Sequence, residues 1–254
     1  MNRRVLRPFF CLAGLILIVG LACATSAAQP TSTSVPTVPP PPTNTLEPTL
    51  TSTPAATPTP QGPPKFFTED FNQVFSGDPP YWSHFLTSGS ESKLEMKSDG
   101  KSFIVTMNEK QTYLYMIYNP TTYQNVSLDI KFDNRGRNTN NISLICDYSD
   151  DKGWYEFNLG SGGVWNILFF DQVTKYYQFL ANGGSVNIHA GQVSNEYKAT
   201  CQGNDLTLYI NGVKTYNITD STYALQEGKV GFSISSFDVL PIIVAVDSIQ
   251  VSEP

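Results

Sequence analysis

Apolar and polar residues alternate with a period of two through four segments of this chain. These segments lie at 126–132, 142–148, 206–210 and 230–234, and a run rich in β-branched residues follows from Ile242 to Val251. A period of two with one apolar face is typical of a β-strand that is buried on one side. Turn-forming residues separate the segments, and Asn211-Gly212 suits the left-handed positions of a tight hairpin. No apolar segment after residue 64 keeps a helical period for three turns, so we expect an antiparallel β-sandwich or barrel.

The first 23 residues have the composition of an export signal. Arg3, Arg4 and Arg7 precede an apolar run from Phe9 to Ala22. The run is about 14 residues long, whereas a helix that spans a bilayer needs roughly 20. We therefore expect segment 1–23 to be removed rather than retained as a membrane helix.

Leu21-Ala22-Cys23 resembles the end of a bacterial lipoprotein signal, in which the cysteine is lipidated and becomes the new N-terminus. Gly20 departs from the resembled pattern, which usually has Leu or Val at that position. The resemblance implies an extracytoplasmic protein that is anchored to the outer face of the cell membrane by an N-terminal lipid only. The alternative is ordinary cleavage at a small-x-small site such as Ala22-Cys23-Ala24, which would release a secreted protein.

Segment 24–64 has the composition of a Pro/Thr-rich linker. Twelve prolines and ten threonines fall between Gln29 and Pro64, and Glu47 is the only charged residue there. Such a segment has too little apolar surface to offset the entropy lost on folding, so we expect it to be disordered. The folded domain is then expected to span residues 65–254.

Acidic residues outnumber basic ones once the signal is removed. The whole chain has 16 Lys and Arg against 22 Asp and Glu, and loss of the three signal arginines leaves 13 basic residues. Nucleic-acid binding needs clustered Lys and Arg to displace phosphate counterions. We therefore expect no nucleic-acid partner.

Several short motifs of the predicted domain carry a resemblance to a known family. They are Glu69-Asp70-Phe71, Gly153-Trp154-Tyr155-Glu156-Phe157, the segment 201–212, Gly228-Lys229-Val230-Gly231-Phe232 and Val246-Asp247-Ser248-Ile249. Together they resemble the concanavalin A-like (laminin G-like) jelly-roll domains of bacterial surface lipoproteins, a group that includes keto-disaccharide hydrolase-like domains. The resemblance implies a two-sheet antiparallel jelly-roll sandwich. It leaves function open, because this fold hosts lectins, carbohydrate-binding modules, hydrolases and adhesive modules.

Catalysis by a glycoside hydrolase needs two carboxylates that face the scissile bond. Glucanases of the resembled fold usually carry them on one strand as Glu-x-Asp-x-x-Glu, and this chain has no such run. Glu156 is followed at the next position on the same face by Asn158, whose amide cannot act as acid or base. The only histidines, His84 and His189, are not within a zinc motif. We predict no catalytic residue.

A ligand surface is predicted around residue 156. The alternation places Trp154, Glu156 and Asn158 on one face of a strand, opposite a core face of apolar residues. An aromatic ring with carboxylate and amide groups suits a sugar. Trp165 would join this set if it faces the same way, but the apolar run around it leaves its direction open. The alternative for all of these residues is packing beneath a loop or edge strand.

We therefore expect a non-catalytic, lectin-like module that binds a glycan or cell-surface polysaccharide. The first alternative is a structural or adhesive surface module whose partner is protein or cell wall. A glycoside hydrolase-like enzyme is the third. No cofactor is required by any of these functions.

Calcium is a recurrent structural ion in the resembled fold. The resemblance suggests that the terminal strands pair, which would bring Asp70 and Asp247 together as candidate ligands. The alternative is two solvated or hydrogen-bonded carboxylates.

Two cysteines, Cys146 and Cys201, remain in the predicted domain. An oxidising compartment favours a disulfide between them, and members of the resembled group often have cysteines at both places. The alternative is two buried free thiols, which pack as small apolar groups.

Overall fold

The computed structural model describes residues 62–137 and 139–254 of the chain. The predicted signal, Cys23 and most of the predicted linker lie outside these residues. Within them, the chain forms two antiparallel sheets and a single turn of 3-10 helix at Glu91–Lys93. No helix among the described residues has the length and apolar character needed to cross a membrane.

The first sheet has nine strands in the described part of the chain. Its order is β14-β13-β12-β7-β16-β5-β4-β2, with β1 paired to β16. The strand bounds are β1 Phe67–Glu69, β2 Val74–Ser76, β4 Leu94–Asp99, β5 Phe103–Met107, β7 Asn125–Asn134, β12 Ser194–Gln202, β13 Asp205–Ile210, β14 Val213–Thr219 and β16 Ile242–Ser252.

The second sheet has seven strands, again counted over the described residues. Its order is β11-β10-β9-β8-β15-β6-β3. The strand bounds are β3 Trp82–Ser88, β6 Tyr113–Tyr118, β8 Asn140–Ser149, β9 Gly153–Gly160, β10 Val164–Asp171, β11 Tyr176–Gly184 and β15 Lys229–Ser236.

The four segments with period-two alternation and the β-branched run at 242–251 are all strands, as predicted. They correspond to β7, β8, β13, β15 and β16. Asn211 and Gly212 connect β13 to β14 with φ values of 48° and 78°, so both positions of this hairpin turn are left-handed, as its residue types indicate.

The core lies between the two sheets. Inward-facing residues such as Phe103, Leu128, Phe157 and Val244 are fully buried there. Cys146 on β8 and Cys201 on β12 form a disulfide across this core, with 6.6 Å between their Cα atoms. The predicted pairing is confirmed, and the bond joins one sheet to the other.

The chain is held to the sandwich from residue 64 onward. The Tyr118 hydroxyl donates to the Pro64 carbonyl at 2.7 Å, and the Tyr123 hydroxyl donates to the Lys65 carbonyl at 2.5 Å. β1 then pairs with β16, so the first and last strands are neighbours, as the resemblance suggests.

Candidate functional site

A cleft of about 760 Å³ lies on the outer face of the seven-stranded sheet, opposite the core. Each of the seven strands contributes to it, so the cleft crosses the whole width of the sheet. Aromatic side chains form much of its lining. They are Phe85, Tyr113, Tyr115, Tyr148, Trp154, Phe170, Tyr177 and Phe237.

Strand β9 places Trp154, Glu156 and Asn158 in this cleft. Its alternate residues Tyr155, Phe157 and Leu159 belong to the core. The predicted alternation therefore placed each of these residues on the face of β9 that it occupies in the structure.

Trp154 forms the floor of the cleft rather than an exposed platform. Its ring is only 2% exposed. It stacks on Phe170 at 4.1 Å between ring centroids and on Tyr148 at 5.3 Å. These contacts leave little of the indole face free for a sugar, so the role of Trp154 is to support the rings above it.

The Glu156 carboxylate is buried beside Trp154 and is surrounded by hydrogen-bond donors. Its Oε2 accepts from the Tyr177 hydroxyl at 2.8 Å and from Trp154 Nε1 at 3.2 Å. Its Oε1 accepts from Ser143 Oγ at 2.7 Å and from Asn158 Nδ2 at 3.3 Å. A carboxylate has about four acceptor sites, so these contacts satisfy Glu156 and fix the groups around it.

Two tyrosine hydroxyls meet next to this carboxylate. Tyr115 and Tyr177 oxygens are 2.5 Å apart, and Tyr115 lies 3.4 Å from Glu156 Oε2. Each phenol has one proton, and that of Tyr177 points to Glu156, so Tyr115 donates to Tyr177. Burial, followed by the Glu156 charge, raises the pKa of both phenols. Both therefore stay protonated and act as donors.

Trp165 lies on the opposite face of β10 and does not join the cleft. It pairs with Leu159 in register and is 4% exposed within the core, where it packs against Gly183. Phe170 and Leu168 are the β10 residues that face the cleft. The structure corrects the suggestion that Trp165 shares the surface of Trp154. The sequence did not predict the direction of Trp165 because β10 is mostly apolar on both faces and lacks an alternation of apolar and polar residues.

No protein-family profile and no curated protein sequence matches this chain. Solved structures match its fold. The glycoside hydrolase family 16 endo-glucanase from Bacteroides ovatus has a TM-score of 0.55 at 12% identity, over 73% of this chain and 99% of its own. The Bacillus licheniformis beta-glucanase has 0.54 at 14%, over 74% and 98%. A Bacillus subtilis protein of unknown function with a galectin-like fold has 0.54 at 12%, over 71% and 98%.

The fold is the concanavalin A-like jelly roll. Sequence identities this low support a shared architecture alone. That architecture confirms the predicted sandwich class.

Sequence reasoning missed the more exposed rings of the jelly roll's cleft. Tyr177 is 37% exposed and projects from the edge strand β11 into the cleft. Phe85, Tyr113 and Tyr148 are half-buried around it. These residues lie on four strands that are distant in sequence, so no local pattern could bring them together.

Asp70 and Asp247, the candidate calcium ligands, accept hydrogen bonds from different residues of the jelly roll. Asp247 accepts a hydrogen bond from Ser102 Oγ at 2.9 Å, whereas Asp70 accepts from the Asn72 backbone and side chain. Calcium takes six to eight oxygen ligands. No group of three or more His, Cys, Asp or Glu in the described residues is arranged to hold a metal ion. Structural calcium at these two carboxylates stays a prediction.

Proposed function

We propose that this jelly roll is a non-catalytic carbohydrate-binding module, displayed outside the cell on a lipid at Cys23, and that its cleft binds an oligosaccharide chain. The observation that carries the proposal is the cleft itself, with ring faces and side-chain amides and hydroxyls side by side. Aromatic faces suit the apolar sides of sugar rings, and polar groups suit their hydroxyls.

The length of the cleft across the sheet favours a chain of sugars over a single sugar. It crosses seven strands that neighbour each other in the sheet. Strands lie about 4.8 Å apart, so the six intervals span roughly 29 Å. A groove of this length accommodates several sugar rings in a row.

The charged groups of the cleft argue against hydrolysis. Glu156 is the only carboxylate among the described residues that line it. Two carboxylates are required in most glycosidases, and Glu156 already accepts enough hydrogen bonds to fill its acceptor sites. Its position instead supports a structural task, which is to orient Tyr177 and Trp154 beneath a ligand.

Tyr177 is the residue that we expect to stack on the ligand. It is exposed on one side, and its hydroxyl is fixed by Glu156 on the other. A ring held in this way loses little conformational entropy when a sugar binds.

The test is a binding curve for Tyr177→Ala against a glycan panel that includes β-glucans, because two of the structural neighbours are named as an endo-glucanase and a beta-glucanase. We expect a loss of affinity of about tenfold or more, as for other aromatic anchors. Tyr177→Phe keeps the ring and should bind more tightly than Tyr177→Ala. Tyr176→Ala is the matched control, because Tyr176 is 71% exposed and does not line the cleft.

If Tyr177→Ala and Tyr176→Ala both bind the glycan with the affinity of the wild type, the ligand site lies elsewhere. Failure of the wild-type protein to bind any glycan, together with binding to cell wall or to a protein, would favour the adhesive alternative. Product release from a bound glycan would contradict the non-catalytic function.

A further inference from the structure

The outer edge of β11 is the least protected strand edge of the described sandwich. β11 has nine residues and pairs only with β10 among the described strands. None of the nine is charged, and none is proline. Tyr176 and Phe179 are 71% and 68% exposed on it. A long, uncharged edge strand with exposed apolar side chains readily pairs with another strand.

The other edge strands in the described part of the sandwich differ from β11. β1 and β2 have only three residues each. β14 carries Lys214 near its start. β3 carries His84, whose two ring nitrogens contact Asp78 at 2.6 Å and Glu91 at 3.2 Å. Short length and charge are the usual means by which natural sheets avoid edge pairing, and β11 lacks both.

We propose that β11 pairs antiparallel with β11 of a second copy of this chain, about a two-fold axis. An isologous contact uses the same patch on both copies, so the patch must be complementary to a second copy of itself. The domain is acidic overall, but β11 is neutral along its whole length, so its self-pairing brings no like charges together.

The direction of the side chains limits the register, and we propose the register that pairs aromatic residues. Tyr177 and Phe179 pair with Phe170 and Leu168 of β10, and thus face the cleft side of the sheet. Side chains directly opposite each other in an antiparallel pair lie on the same face. With Gln178 on the two-fold axis, Tyr177 lies opposite Phe179 of the partner subunit. The contact then has two aromatic cross-strand pairs.

This register uses the regular part of β11. The pairing of β10 with β11 shifts between Ile167 and Leu168, which leaves Leu180 as an extra residue on β11. Residues 176–179, before this irregularity, pair with β10 without interruption. The irregular part of the edge is therefore outside the central contact.

The pairing would join the two clefts. The two seven-stranded sheets would form one continuous sheet of fourteen strands through the β11 contact. Both clefts would open on the same face, and the partner's Phe179 would extend the aromatic rim at Tyr177. Two linked sites raise the apparent affinity for a repeating polymer without any new contact within either site.

The first test is the mass of the chain by sedimentation equilibrium over a range of concentrations, with Cys23→Ser in every variant so that no lipid drives association. We expect a dimer. Phe179→Lys should be monomeric but folded, with the far-UV circular dichroism spectrum of the wild type, because the side chain is largely exposed. Val213→Lys on the β14 edge, where the side chain is 48% exposed, is the matched control and should remain dimeric. A monomeric wild-type protein, or an equal effect of the two lysines, would overturn the proposal.

The second test is a cross-link that only the proposed register allows. Gln178→Cys places two cysteines opposite each other at the axis. Paired residues in antiparallel strands have Cα atoms about 4.5–5.5 Å apart, within the range for a disulfide. Asn182→Cys, which lies opposite residue 174 of the partner in this register, is the control. Mild oxidation should cross-link the first variant and not the second, and the reverse result would overturn the register.

Discussion

Asp147 is a buried acid at an irregular point of β8. Its backbone has a left-handed φ of 54°, and its side chain is 2% exposed. Neither carboxylate oxygen has a hydrogen-bond partner among the described residues. Burial, and then the charge of Glu227, raises the pKa of this carboxyl from 3.8 to about 7. Because the folded-state pKa exceeds the unfolded value, ionisation of Asp147 opposes folding, and stability falls as the pH rises through this range.

We predict that Asp147→Asn makes the domain more stable than the wild type near pH 8. Below about pH 4 the free energies of unfolding of the two proteins should converge. The difference is on the order of 4 kcal/mol at most, because each pKa unit corresponds to about 1.4 kcal/mol. Asparagine also tolerates the left-handed backbone. The measurement is urea denaturation at both pH values. Asp238→Asn, an exposed acid, is the control, and parallel pH profiles for wild type and Asp147→Asn would contradict the prediction.

Strands β8 and β12 belong to different sheets and are joined by the Cys146–Cys201 disulfide. The bond closes a loop of 55 residues, which restricts the unfolded chain. We predict that a Cys146→Ala/Cys201→Ala double variant loses about 4 kcal/mol of unfolding free energy by the chain-entropy model. Equilibrium denaturation of the variant, and of wild type with and without reductant, measures the loss. An unchanged midpoint after complete reduction would show that the bond contributes nothing.

Two neighbouring strands illustrate how far the site could be predicted from sequence. In β9 the apolar and polar residues alternate, so the shared face of Trp154, Glu156 and Asn158 followed from the period alone. Whether that face was covered did not follow, because Tyr148 and Phe170 reach Trp154 from other strands. In β10 both faces are apolar, so the direction of Trp165 required the register with β9. The strands were therefore predictable, whereas the contacts between them were not.

At the scale of the whole molecule, we propose that the place of the jelly roll in the cell depends on Cys23. This residue lies outside the described part, so its role rests on the sequence between the apolar run and the Pro/Thr-rich segment. We predict that Cys23→Ser moves the protein from the membrane fraction to the soluble fraction or the medium. Immunoblots of separated fractions measure this. Membrane association that persists in the variant would indicate a retained signal helix or attachment through the jelly roll.

The strands at the centre of both sheets are the last two of the chain. β15 lies between β8 and β6, and β16 lies between β7 and β5. Before residue 229 is made, each sheet consists of two halves with no strand to join them. Contacts between such distant segments form slowly, because the ends of long loops must first meet. Neither sheet can therefore close until β15 and β16 have both been made, and until then the strands on either side of them have unpaired edges.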